Sequence, residues 1–218
     1  MTDTLIRPPS QGYAQELARV PLVTGPVFLA EVAINSWLSR DYLSSYGWTL
    51  RGDADLPWPS MLALGPHGWA QVAGFAVAGL GILSLLPAVR SLLPRGRTRA
   101  VAVGLVGLMG MGITLSAARL DASMIRQGDP VTWHGLLHGL MFLVVLFSAM
   151  TAPLAVALAA RRTPGLSRLA KVSALAPLAF VAALASHQGQ LGFYVFLVLL
   201  FGWVGYVALE ARGGTRTA

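Results

Sequence analysis

Six stretches of this chain are apolar and long enough to cross a lipid bilayer as helices, at about 21–39, 67–89, 100–119, 135–160, 171–186 and 191–209. Spanning the hydrocarbon layer takes roughly 20 apolar residues in a helix. Inside lipid, only a helix or a closed barrel satisfies every backbone N–H and C=O group. The pattern therefore predicts an all-α, polytopic membrane protein, a six-transmembrane-helix bundle. Composition agrees, with 55% hydrophobic and 11% charged residues and a mean hydropathy of +0.64. About a quarter of the residues of a soluble domain are charged, and a soluble 218-residue chain with so few charges could not cover its own surface. The fifth stretch is the shortest and carries Pro177. The third places Gly104, Gly107, Gly110 and Gly112 close together, small residues of the kind that let membrane helices approach each other.

Charge then sets an expected orientation. The net charge of +7 would fit a nucleic-acid partner in a soluble protein. Here the basic residues sit in short runs between apolar stretches and read as topology signals, so the expected partner is the bilayer and not nucleic acid. With both termini cytoplasmic, all 16 lysines and arginines except Arg40, Arg51, Arg119 and Arg126 fall inside, as the positive-inside rule requires. The expected organisation is a cytoplasmic segment 1–20, a transmembrane domain 21–210 with an outer loop 40–66, and a cytoplasmic tail 211–218. Arginine-rich, alanine- and glycine-rich usage points to a bacterium, hence to its cytoplasmic (inner) membrane. Residues 1–20, with Asp3, Glu16 and two prolines, are too polar for a cleavable signal sequence, so the first stretch is expected to stay as a helix. The absence of cysteine excludes disulfides, thiolate metal sites and a cysteine nucleophile.

Polar residues inside such stretches are the candidates for chemistry. Glu31 lies within LVTGPVFLAEVAINSWL, roughly 12 Å from the outer end at helical rise. A carboxylate at that depth must be protonated, paired or turned to a wet cavity. Asn35 lies one turn outward on the same face. A second group spans ARLDASMIRQGDPVTWHGLLHGLMF: Arg119, Asp121, Asp129, His134 and His138. The two histidines, four residues apart, share a helix face. His187, with Gln188 and Gln190, falls at the turn between the fifth and sixth stretches. Two readings stay open for this group: a zinc site built from His134, His138, His187 and Asp121, or proton handling by His138 and Asp121 near Glu31. The former lacks an HExxH pattern, and no cofactor is the primary expectation. Trp37, Trp48, Trp58, Trp69 and Trp133 cluster on the expected outer side. They form either an interfacial aromatic belt or, with Asn35, Arg119, His134 and His187, the walls of a substrate pocket in which ring faces stabilise cations.

On these residues the chain resembles the bacterial membrane family catalogued as domain of unknown function 998. The features that carry the likeness are a first span opening TGPVF, a loop running from DYLSSYGW to LGPHGW, a glycine-rich third span, and Asp121 followed by HGLLHGL with His138. The resemblance implies a six-span bundle and no settled activity. A second likeness, of chemistry more than of sequence, is to small integral-membrane terpene cyclases, which implies Glu31 and Asp121 as the acids that protonate an isoprenoid.

Three functional expectations follow. The first is a membrane enzyme using Glu31, Asp121 and His138 in acid–base catalysis on a lipophilic, isoprenoid or prenylated substrate, as a cyclase or isomerase. The second is a metal-dependent lipid hydrolase. The third is a transporter or scaffold whose polar residues only lock helices together.

Overall fold

The computed structural model describes residues 9–48, 57–122, 130–186 and 190–213, leaving aside the side chains of residues 9–11. All regular structure in these residues is helical. Helix α1 (Pro9–Leu17) leads directly into α2 (Val20–Leu38), and a short α3 (Arg40–Ser44) follows. A 3-10 turn covers Pro59–Leu64. Then come α4 (Gly68–Leu83), α5 (Leu86–Leu92), α6 (Arg97–Leu115), α7 (Trp133–Ala160), α8 (Ser167–Leu184) and α9 (Gln190–Gly213). Six helical segments are long and apolar enough to cross a membrane: Gly12–Leu38, Gly68–Leu92, α6, α7, α8 and α9. The expected six spans are therefore present, with shifted ends. Helix begins inside the segment expected to precede the first span. The second span runs on through α5, and the third ends at Leu115, so Arg119 lies beyond it.

The spans pack as a closed ring in chain order. Each of α2, α4, α6, α7, α8 and α9 packs on the next, and α9 closes the ring against α2. At the end where α5 lies, α5 also leans on α9 and narrows the interior. Six crossings bring the first and last described helices to the same end of the bundle. That end carries Arg19, Arg90, Arg95, Arg97, Arg99, Arg161, Arg162, Arg168, Lys171 and Arg212, whereas Arg40 and Arg119 are the described basic residues at the other. We call the two ends the arginine end and the tryptophan end.

Close packing comes from glycine. A Cβ at Gly79 of α4 would stand 2.6 Å from the Gly110 carbonyl of α6, and one at Gly110 would stand 3.1 Å from the Gly79 carbonyl. The two backbones thus touch directly, as small residues permit in membrane helices. Outside, Leu136, Leu175, Leu178 and Val198 are more than half exposed. An apolar girdle of that extent is untenable in water and natural against lipid.

Two features of the 40–66 connection depart from a plain surface loop. Helix α3 continues the first span around a corner, and the 3-10 turn folds back into the mouth of the ring, where Leu62 is fully buried and Ala63 is nearly so.

Candidate functional site

The site starts at the end of α6. A helix leaves its last carbonyls without partners, and in a membrane protein these need donors from elsewhere. His138, one turn into α7, supplies one. Its Nδ1 lies 2.9 Å from the Ser116 carbonyl and 2.8 Å from the Ala118 carbonyl. Carbonyl oxygens only accept, so Nδ1 carries the proton and Nε2 of the neutral ring is an acceptor. His138 is 6% exposed.

One turn earlier, Asp121, Thr132 and His134 tie the two ends of the α6–α7 connection together. The Thr132 backbone N–H and hydroxyl donate to the two Asp121 carboxylate oxygens at 2.7 and 2.5 Å. Thr132 is the N-cap of α7, and its hydroxyl accepts from the Gly135 N–H at 3.3 Å. His134 Nδ1 lies 2.8 Å from the Thr132 hydroxyl and 3.1 Å from the Arg119 carbonyl. A carboxylate at a helix N-terminus also meets the positive end of its dipole. The Thr132 hydroxyl and backbone N–H hold the Asp121 carboxyl below the ordinary carboxylate range. A lowered folded-state pKa means this contribution is complete above the unfolded value, near pH 4, and is lost as pH falls through the folded one. Melting temperature should therefore drop more steeply for the wild type than for Asp121→Asn between about pH 5 and pH 3. Thermal unfolding in detergent measures this, and parallel curves would contradict it.

Inside the ring at the tryptophan end lies a cavity of 70 Å³, room for a few waters at roughly 10–15 Å³ each or for a small organic group. Its walls are rings. One string of contacts runs Phe201–Phe28–Phe75–His138 with centroid separations of 5.5, 5.4 and 5.9 Å. Another runs Trp58–Phe193–Phe142 at 5.0 and 6.0 Å. The polar residues in the lining are Ser60, Ser116 and His138. The Ser116 hydroxyl is committed to the Gly112 carbonyl at 2.9 Å.

The 3-10 turn closes this cavity from above. Trp58, Pro59 and Ser60 belong to the lining. Arg119 Nε and Nη2 both donate to the Ala63 carbonyl, at 3.2 and 2.9 Å, and the Tyr194 hydroxyl donates to the Pro57 carbonyl at 2.7 Å. These bonds hold residues 57–64 down as a lid on α6 and α9.

The expected site residues therefore fall in different places. His138 lines the cavity; Glu31 and Asp121 do not. Asp121 borders a separate groove along α7 with Val131, Leu136 and Gly139. Glu31 lies in the α2–α4 seam. There Asn35 Nδ2 donates to Glu31 Oε1 at 3.1 Å and to the His67 carbonyl at 3.4 Å, and the Ser39 hydroxyl donates to Asn35 Oδ1 at 3.0 Å. The other Glu31 oxygen is buried without a partner, 2.9 Å from where a Cβ on Gly74 would stand. Arg119, expected at the substrate, instead latches the lid. Trp37, Trp69 and Trp133 are 55, 75 and 74% exposed; they face outward in the manner of an interfacial belt, and the pocket wall expected of them is made by phenylalanines and Trp58. Among the described residues no three histidine or acidic side chains converge in a way that could hold a metal ion. His187, part of the zinc reading, lies outside the described residues, as does Asp129. The cavity residues Phe28, Phe75, Phe193 and the lid residue Ser60 carried no signal of their own in the sequence. Trp58, between two prolines at the end of the long connection, was the nearest thing to one.

No curated protein and no solved structure matches the chain. One family does, over residues 20–212, which runs from the start of α2 into the last turn of α9 and takes in the lid and the α6–α7 connection, and the chain belongs to that family, described as "Protein of unknown function (DUF998)".

Proposed function

We propose that the protein is a membrane-embedded acid–base enzyme of isomerase or cyclase type that acts on a lipophilic, isoprenoid or prenylated, substrate in the aromatic cavity, with His138 as its proton-transferring group. The observation that carries the reading is that His138 is the single ionisable side chain among the described residues lining that cavity. Its ring is held by two carbonyls through Nδ1, which leaves Nε2 as the acceptor. In the proposed step, Nε2 takes a proton from a substrate C–H or O–H bond and returns it at another position of the same molecule. The net change is an isomerisation with no co-reactant. Positive charge that develops on imidazole or substrate lies among ring faces, which stabilise cations by roughly 1–2 kcal/mol each when desolvated. The lid excludes water from that step, and the substrate enters from the bilayer with only its reacting end inside the 70 Å³ cavity.

The reading is tested with protein reconstituted in liposomes and given a panel of isoprenoid alcohols and prenylated phenols. Rearranged product formed by the wild type and lost in His138→Asn supports it. Equal turnover by the variant would sink it. A second reading, a scaffold whose polar groups only join helices, draws on the full engagement of both Asp121 oxygens by Thr132; it gains if the panel gives no product at all.

The charge distribution supports an orientation with the arginine end in the cytoplasm of a bacterial inner membrane. Because the chain has no cysteine, single cysteines report it cleanly. Both Ser45 and Ser167 are exposed, at opposite ends of the bundle. An impermeant maleimide applied to intact cells should label Ser45→Cys, and Ser167→Cys only after lysis. The reverse pattern would invert the proposal.

A further inference from the structure

The seam between α4 and α6 is closed where Gly79 and Gly110 bring the two backbones together. Val72 stands seven residues before Gly79, so it lies on nearly the same stripe of α4, about 10 Å nearer the tryptophan end. There the seam has opened into a groove of 410 Å³, lined by Gly65, Pro66, Gly68, Trp69, Val72 and Arg119. Its described lining shares no residue with that of the aromatic cavity. The floor is low because a Cβ on Gly68 would collide with the Ala63 carbonyl, so that position holds no side chain. Trp69, on the wall, faces outward.

Arg119 is exposed and reaches the groove from the segment that follows α6. Its backbone carbonyl lies 3.1 Å from His134 Nδ1, and its Nε and Nη2 are anchored on the Ala63 carbonyl. The guanidinium is thus held in place, and those two bonds use two of its five N–H donors. Asp121, two residues on, borders the other groove, with its carboxylate on Thr132. The Arg119 groove runs from the level of the tryptophan belt to Val72, one turn deeper toward the hydrocarbon. An occupant therefore needs an anion at the top and an apolar chain below. A phosphodiester suits the guanidinium, whose parallel N–H donors match two phosphate oxygens. A zwitterionic lipid would bring an ammonium of like charge beside Arg119. We infer that the groove is a binding site for an anionic phospholipid of the phosphatidylglycerol class, with its phosphate on Arg119 and an acyl chain against Trp69 and Val72.

The probe is phosphatidylglycerol carrying a photoreactive group early in one acyl chain, added to purified protein in detergent and mapped by peptide mass spectrometry. Adducts are expected within residues 65–72, competed by unlabelled phosphatidylglycerol but not by phosphatidylcholine or inorganic phosphate. Adducts at the arginine end, which attracts any anionic lipid, serve as the internal reference. Relative to that reference, Arg119→Gln should lose at least roughly tenfold of the yield at 65–72, the ratio expected from one charge-assisted hydrogen bond. Val72→Phe fills the groove without touching the Arg119 latch, and it should lose as much. Unchanged yield in Val72→Phe, or in Arg119→Gln, would overturn the site. Equal competition by phosphatidylcholine would mean ordinary boundary lipid, and displacement by inorganic phosphate would mean a free anion; either result overturns the assignment. If Arg119→Gln loses adducts at both ends together, the variant has failed to fold, and Val72→Phe decides.

Discussion

Replacement of His138 by asparagine is expected to leave a folded protein that has lost its acid–base activity by roughly 10²–10⁴-fold, the usual contribution of a positioned proton-transfer group. The asparagine amide nitrogen reaches about as far as Nδ1, so it still donates to the Ser116 and Ala118 carbonyls. It has no counterpart of Nε2. His138→Ala, in contrast, removes both functions. It strands two carbonyls at the end of α6 at roughly 1–3 kcal/mol each and leaves a void beside Phe75. The alanine variant should therefore melt well below wild type, while the asparagine variant should melt close to it. Circular dichroism with temperature, read beside turnover on the same samples, checks the pair. If both variants lose stability and activity in parallel, His138 is a structural cap and its proposed chemistry falls.

The largest effect on folding is expected at Gly79. Even alanine places a Cβ 2.6 Å from the Gly110 carbonyl, a backbone atom that cannot swing aside. Helices α4 and α6 must separate, and every contact along their crossing loosens with them. Overpacking of a tight interface costs roughly 1–3 kcal/mol where side chains can adjust, and more here because backbone must move. Gly79→Ala should lower the melting temperature by several degrees, and Gly79→Leu should yield little monodisperse protein in size-exclusion chromatography. Gly104, where a Cβ meets nothing within 4 Å, is the control: Gly104→Ala should behave as wild type. A tolerant Gly79 would mean that α4 and α6 are not packed backbone to backbone.

The spans were legible in the sequence because hydropathy over twenty residues reports depth in a bilayer almost directly. The parity of the chain ends and the gathering of arginine at one of them followed from the same reading. Azimuth was not legible. Glu31 and His138 both stand among polar residues near one end in the sequence, yet they belong to different interfaces. In lipid, an apolar side chain is as comfortable outside as inside, so the hydrophobic face that betrays a soluble helix's core is missing. That is why Phe28, Phe75 and Phe193 gave no warning that they enclose a cavity. It is also why tryptophans at 37, 69 and 133 were readable either as belt or as pocket. The lid was hidden for a different reason. Residues 57–64 are short, contain two prolines, and are held by Arg119 and Tyr194 from distant positions, a pairing no local pattern announces. Asp121 was legible as a polar residue of note, and the structure places its carboxylate on Thr132, the N-cap of α7.

The central claim is that a lipophilic ligand occupies the interior of the ring beneath the lid. A diazirine-bearing analogue of geraniol, photolysed with the reconstituted protein and mapped by peptide mass spectrometry, tests it most directly. The account predicts adducts concentrated on Phe28, Phe75, Phe142 and Phe193, competed away by excess geraniol. Adducts confined to lipid-facing residues such as Leu175, Leu178 and Val198, unaffected by competitor, would contradict it.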